Sequence, residues 1–251
     1  MIFKETANKE LPTIILLHGG GLSDWSWQYV VQALQLDFHL VTPVIEGHGE
    51  DSHEEFISIQ DSATKLMDYI DTYYNGKVFA ICGLSIGAQI VTEVLSKREA
   101  IAEYAVIETA LVYPIKGINA LVVPSYKLFY GLVQKRWFAK LQAKSLCVPD
   151  HMFEVYYNDS LKMTRESLIN MTLSNGNYTL QPSISNTKSK VLIIVGSKEV
   201  SIMKKSAYKL HESIKGSELL IAPHMKHGEL SLVHTEKYIE LIKALFTKSV
   251  D

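Results

Sequence analysis

Residues 83–87 read Gly83-Leu84-Ser85-Ile86-Gly87. They follow an apolar, β-rich run, Lys77–Cys82, and open a helical pattern, Ile86–Lys97. A serine at such a junction stands on a tight strand-to-helix turn, where the flanking residues must be small because strand and helix crowd together. Gly83 and Gly87 meet that need. Ser85 then lies at a helix N-terminus, whose partial positive charge favours a developing anion. The amide of Ile86 would face that anion. A glycine-rich connector with an N-capping serine is the plainer alternative, and the strand before and helix after are what separate the two.

Outward from this turn the same alternation fills most of the chain. Apolar runs at Thr13–Leu17, His39–Thr42, Lys77–Cys82, Tyr104–Ile107, Val191–Val195 and Glu218–Ile221 read as strands. Helical patterns at Trp27–Gln35, Asp61–Tyr74, Ile86–Lys97, Ser201–Lys215 and Glu229–Thr247 lie between or after them. In Asp61–Tyr74, Ala63, Leu66, Met67, Ile70 and Tyr74 recur at helical spacing. Runs this apolar suit a parallel sheet covered on both faces. The alternation predicts an α/β, doubly wound, mostly parallel sheet.

One stretch breaks the rhythm. From about Tyr113 to Ser189 no strand stands out, and the segment reads as helices at Ala120–Lys144, Pro149–Asn158 and Leu161–Ser174. It predicts a helical cap, residues 114–188, inserted into a core made of residues 1–113 and 189–251. Its aromatic and methionine side chains, Tyr126, Phe129, Trp137, Tyr156, Met163 and Met171 among them, suit a largely apolar pocket as well as plain packing onto the core. From Ile115 to Pro182 there are eight basic and four acidic residues. Such a balance can attract an anionic substrate or an acidic surface, and a solvated lysine face is the plainer account.

Composition sets the bounds. The chain has 251 residues, 47% hydrophobic and 21% charged, with 25 Lys+Arg against 27 Asp+Glu. That length suits one large α/β unit and buries enough apolar surface to hold without disulfides or metals. The near-neutral balance argues against a nucleic-acid protein. No apolar run approaches the ~20 residues of a membrane helix, and Met1–Leu11 carries Lys4, Glu5, Lys9 and Glu10, so it does not read as a signal peptide. Cys82 and Cys147 stand far apart with no metal-ligand spacing, which fits a reducing cytoplasm.

A serine nucleophile needs an oxyanion hole, a base and an acid. His18-Gly19-Gly20-Gly21 ends the first apolar run, where glycines let backbone N–H groups approach a ligand. Gly20 is the expected second oxyanion donor beside Ile86, with Gly21 the alternative; His18 reads as a structural hydrogen-bonding residue. The order nucleophile, acid, base expected of this turn places the base late. His224 and His227 both follow the last strand, and Gly228 frees the backbone to aim the His227 ring, so His227 is the expected base. A His-x-x-His metal pair from these two lacks a third ligand. The acid is open between two residues at adjacent strand ends: Glu199, in Gly196-Ser197-Lys198-Glu199, is favoured, and Glu108 is the alternative.

These motifs resemble the α/β-hydrolase superfamily, in particular its small serine hydrolases and esterases with a helical cap, and the resemblance runs in order along nearly the whole chain. His18–Gly21 with Trp25 and Trp27 resembles the oxyanion segment. Pro43-Val44-Ile45-Glu46-Gly47-His48-Gly49 resembles the family's P-D-x-x-G-H-G turn, with Val44 in place of Asp. Gly83–Gly87 resembles the nucleophile elbow, with Ala88 where a second glycine is frequent. Gly196–Glu199 resembles the G-x-x-D acid segment, with Glu199 in place of Asp, and His227 falls at the family's histidine. A serine elbow sets the chain apart from the haloalkane dehalogenase and epoxide hydrolase branches, which carry Asp there.

The expected activity is therefore that of a serine hydrolase acting on a carboxylic ester or related acyl bond of a small molecule, with no metal or cofactor. Two alternatives remain. One is a lyase or C–C bond hydrolase on the same triad, as in hydroxynitrile lyases, which a pocket lysine such as Lys198 would favour. The other is a non-catalytic binding protein on a hydrolase fold, against which the presence of Ser85, Glu199 and His227 argues.

Overall fold

The computed structural model describes residues 1–6 and 8–247. The expected core segments 1–113 and 189–251 thus include residues 7 and 248–251, which lie outside the described residues. The strands are β1 (Ile2–Glu5), β2 (Thr13–Leu17), β3 (His39–Val44), β4 (Val78–Leu84), β5 (Ala102–Glu108), β6 (Lys190–Gly196) and β7 (Glu218–Ala222). The helices are α1 (Gln28–Leu34), α2 (Ile59–Tyr74), α3 (Ile86–Lys97), α4 (Ile118–Val133), α5 (Arg136–Ser145), α6 (Phe153–Ser160), α7 (Arg165–Asn177), α8 (Ser201–Ser213), α9 (Glu229–Leu232) and α10 (Thr235–Phe246). None is long and apolar enough to cross a membrane.

The seven strands form one sheet in the order β1-β3-β2-β4-β5-β6-β7, parallel except for β1. The expected doubly wound α/β sheet is what the chain builds, and β2 shows why its strands are apolar throughout. Ile15 and Leu17 pack into a core with α2, α3 and α8, while Ile14 and Leu16 face a second core with α1, α9 and α10. At β2 both faces of the sheet are covered, so neither set of its alternating positions meets water. Helix α3 runs through the first core with every residue from Ile86 to Ser96 buried.

Several boundaries depart from the sequence reading. Strand β1 was not expected, being short and charged. It pairs antiparallel with β3 at the sheet edge, where Phe3 stacks on Tyr69 and Lys4 pairs with Asp24 and Glu50. Helix α2 starts two residues earlier than Asp61, because the Ser58 hydroxyl accepts from the Asp61 amide and caps it. Ala120–Lys144 is two helices, since α4 packs on α7 while α5 packs on α6, and one straight helix cannot turn its buried stripe to both. Glu229–Thr247 is likewise split. Leu230, Ser231 and Leu232 are buried in succession, and the buried stripe then resets to Tyr238, Ile242 and Leu245. Helix α7 begins at Arg165 rather than Leu161, capped by the Thr164 side chain on the Ser167 amide.

The chain order reverses between β2 and β4: from β2 it steps to β3 on one side, then to β4 on the other. In open α/β sheets the crevice beyond the carboxyl ends of strands at such a point is where ligands bind. The loop His18–Gly21 and the turn at Ser85 both leave the sheet there.

Candidate active site

The turn at Ser85 is built from contacts that admit only glycine. A Cβ on Gly83 would stand 2.4 Å from the Gly87 carbonyl oxygen, and one on Gly87 would stand 2.4 Å from the Leu17 carbonyl oxygen. Both obstacles are backbone and cannot step aside. Ser85 itself has φ 55° and ψ −114°. A non-glycine residue there carries strain of about 1–3 kcal/mol. Its amide donates to the Glu108 carbonyl at 2.9 Å, and its carbonyl accepts from the Gln89 amide at 3.0 Å, which hold the strained turn in place.

The turn delivers the Ser85 hydroxyl to His227, whose Nε2 lies 2.9 Å from Oγ. On the other side of the ring, Nδ1 lies 2.8 Å from Glu199 Oε2. The second carboxylate oxygen of Glu199 accepts the Gly196 amide at 3.2 Å, and the Glu199 amide donates back to the Gly196 carbonyl at 3.1 Å. This tight loop folds the glutamate onto itself, so its extra methylene relative to aspartate does not overshoot the ring. Gly196 is obligatory, since a Cβ there would stand 2.3 Å from the Met225 carbonyl oxygen. Gly228 (φ +67°) starts α9 just after His227.

Glu108, the other expected acid, does not reach His227. It is buried, Oε1 accepts the Ser231 amide at 3.4 Å, and Oε2 has no hydrogen-bond partner among the described residues. Burial pushes its carboxyl up to about 7, against the pull of Ser231. His224 is exposed, with its amide tied to Ser197 Oγ at 2.8 Å. His18 is buried: Nδ1 donates to the Gly19 carbonyl at 2.9 Å and Nε2 accepts the Ile45 amide at 3.0 Å. Burial and the neighbouring His48 lower its pKa to about 3. Val44, where the resembling turn has Asp, is buried at the end of β3 opposite Ile2.

The His18–Gly21 loop lies against the turn. A Cβ on Gly19 would touch Ser85 Cβ at 3.5 Å, and one on Gly20 would touch Ile86 Cγ2 at 3.8 Å. Among the described residues the amides of Gly20, Gly21 and Ile86 donate no hydrogen bond to the protein. A pocket of about 20 Å³ over Ser85 and His227 includes Gly20 but not Gly21. A larger cavity of about 260 Å³ adjoins it, lined by Gly20, Gly21 and residues of α4–α7. Its aromatic and methionine walls, Tyr156, Met163 and Met171, lie in the stretch the sequence marked out. Leu146, which lines both spaces, carried no sequence signal of its own.

Comparison with known proteins bears on the whole chain and on one short part of it. The family model described as "Alpha/beta hydrolase family" matches residues 14–190. A pimeloyl-[acyl-carrier protein] methyl ester esterase of Vibrio vulnificus (strain CMCP6) is 34% identical over 58 residues, a match covering 23% of each chain, so under a quarter of that relative's length is involved. Among solved structures, the enol-lactonase from Burkholderia xenovorans LB400 superposes with TM-score 0.81 at 15% identity, covering 98% of this chain and 96% of that one. The esterase from Exiguobacterium antarcticum gives TM-score 0.80 at 16% identity, covering 98% and 95%. At these identities the likeness is one of fold. The family match, the sheet order and the serine turn at its switch point agree, and the chain belongs to the alpha/beta hydrolase family.

Proposed function

We propose that the protein is a serine hydrolase that cleaves a carboxylic ester, or a related acyl bond, of a small and largely apolar substrate. The observation that carries this reading is the unbroken line from Ser85 Oγ through the His227 ring to Glu199, at 2.9 and 2.8 Å, on a strained turn at the N-terminus of a buried helix.

In this reading Ser85 Oγ attacks the substrate carbonyl carbon while its proton passes to His227 Nε2. The oxyanion meets the free amides of Ile86 and Gly20, each donor worth on the order of 3 kcal/mol. The collapsing intermediate expels the alcohol, which takes the proton from His227. Water then attacks the acyl-enzyme, giving its proton to His227, and the acid departs as the proton returns to Ser85. Glu199 keeps the proton of the neutral ring on Nδ1 and stabilises the imidazolium. Helices α4–α7 form the cap, and the adjoining cavity takes the acyl group. The lyase alternative asks for a pocket lysine, and Lys198 is exposed while no lysine among the described residues lines either space.

Labelling with a fluorophosphonate and hydrolysis of p-nitrophenyl esters from acetate to decanoate test the reading. Wild type should label and turn over, and Ser85→Ala should do neither. Hydrolysis that survives Ser85→Ala overturns it.

A further inference from the structure

The cavity beside the serine is lined mainly by apolar side chains, with Gln142, Ser145, Ser160, Tyr126 and Tyr156 as its polar groups. Val133, Met163, Leu168 and Met171 form much of its wall. At about 30 Å³ per water-sized group, 260 Å³ holds roughly nine such groups, so six to eight non-hydrogen atoms of an acyl chain fit beyond the scissile carbonyl. Tyr156 also lines it. The residue is 3% exposed, and its hydroxyl makes no hydrogen bond among the described residues. The other tyrosines on α4–α7 are all partnered: Tyr126 with Thr172, Tyr130 with the Met163 carbonyl, Tyr157 with the Gln134 carbonyl. The hydroxyl is not fully enclosed, so a ligand that fills the cavity would strip it of water, a costly loss unless the ligand offers an acceptor. The half-buried Gln142, whose side chain makes no hydrogen bond either, stands in the same wall. Among the described residues no lysine, arginine or histidine lines the cavity.

Resting on the ester-hydrolase reading above, we infer that the substrate's acyl group carries a neutral hydrogen-bond acceptor, a ketone, ether or ester oxygen, several bonds from the scissile carbonyl, and that the Tyr156 hydroxyl donates to it. A plain alkyl chain would leave the hydroxyl unpaired. A free carboxylate would be buried with no cation to meet it. Burial pushes the phenol up to about 12, so Tyr156 keeps its proton and acts as a donor across the neutral range. Tyr156 is then a specificity residue: it touches the substrate's distal oxygen and takes no part in bond breaking.

The test uses Ser85→Ala protein, which holds esters without turnover, with and without Tyr156→Phe. Calorimetry compares three probes of equal size: methyl 6-oxoheptanoate, methyl 6-methylheptanoate and monomethyl adipate. Tyr156→Phe should cut the preference for ketone over hydrocarbon about fivefold to tenfold, the factor one neutral hydrogen bond is worth, with the hydrocarbon's Kd unchanged. Monomethyl adipate should bind weakest to both proteins. An unchanged ratio, tightest binding by the carboxylate, or binding of none of the three overturns the inference. The melting temperature of Tyr156→Phe, expected equal or higher, shows that the variant is folded. Failure of fluorophosphonate to label wild type would overturn the serine-hydrolase reading instead, and it is read independently of these affinities.

Discussion

Replacing Glu108 by glutamine should make the protein more stable, and increasingly so as pH rises from 5 to 8. Glu108 is 1% exposed, and burial pushes its carboxyl from an ordinary 4.5 up to about 7. Between those values the folded protein holds a proton that the unfolded chain has released, so stability falls as pH rises through this window and levels off above about 7. At 1.36 kcal/mol per unit, the full loss is about 3 kcal/mol. Glutamine keeps an acceptor for the Ser231 amide, carries no charge and removes that loss. For a chain of this size the gain at pH 8 corresponds to roughly 6–12 °C in melting temperature. Urea denaturation of both proteins at pH 5 and pH 8 measures it, the difference between them cancelling every other titrating group. Ester turnover should stay within a few-fold, because Glu108 makes no bond to His227. A constant stability difference across the range would refute the proton uptake. A collapse of turnover would refute the assignment of the acid to Glu199.

Glu199→Ala should lower kcat about 10³–10⁴-fold with little change in KM, since it removes the group that fixes the His227 tautomer; steady-state kinetics on one p-nitrophenyl ester decides this. Gly87→Ala forces a Cβ to 2.4 Å from the Leu17 carbonyl oxygen and should cost more than about 3 kcal/mol, seen by thermal denaturation. Leu146→Ala widens the passage between the serine pocket and the larger cavity, and should move the preferred acyl length up by about two carbons, each buried methylene being worth about 0.8 kcal/mol. An unmoved optimum in the acetate-to-decanoate series would show that Leu146 does not bound the acyl site.

The inner parallel strands were legible because burial on both faces leaves long stretches of them wholly apolar, as in Ile14–Leu17. The serine turn was legible because its crowding admits only glycine on either side. Strand β1 was hidden: four residues with two charges resemble a loop, and its place depends on pairing with β3, distant in sequence. The breaks after Val133 and Leu232 were hidden for a related reason, since each helix is cut where its packing partner changes. Glu199 and Glu108 sit at neighbouring strand ends with the same side chain. Only the hairpin-tight loop from Gly196 aims one of them at the ring. The cavity was legible in its chemistry, rich in Tyr and Met, but its neck at Leu146 depends on how α5 ends.

The two histidines of this site face opposite demands. In the proposed cycle His227 exchanges a proton in every turnover, and it sits half-buried with Nδ1 on Glu199. His18, one loop away, is locked between the Gly19 carbonyl and the Ile45 amide and stays uncharged down to pH of about 3. It works as a rigid spacer between two loops, a stand-in for a peptide group that carries its own donor and acceptor. The loop that presents Gly20 is thereby insulated from acidity. In the proposed cycle, a proton gained by His227 would meet a neighbour that cannot share it, and the frame around the reacting carbonyl would keep its shape throughout.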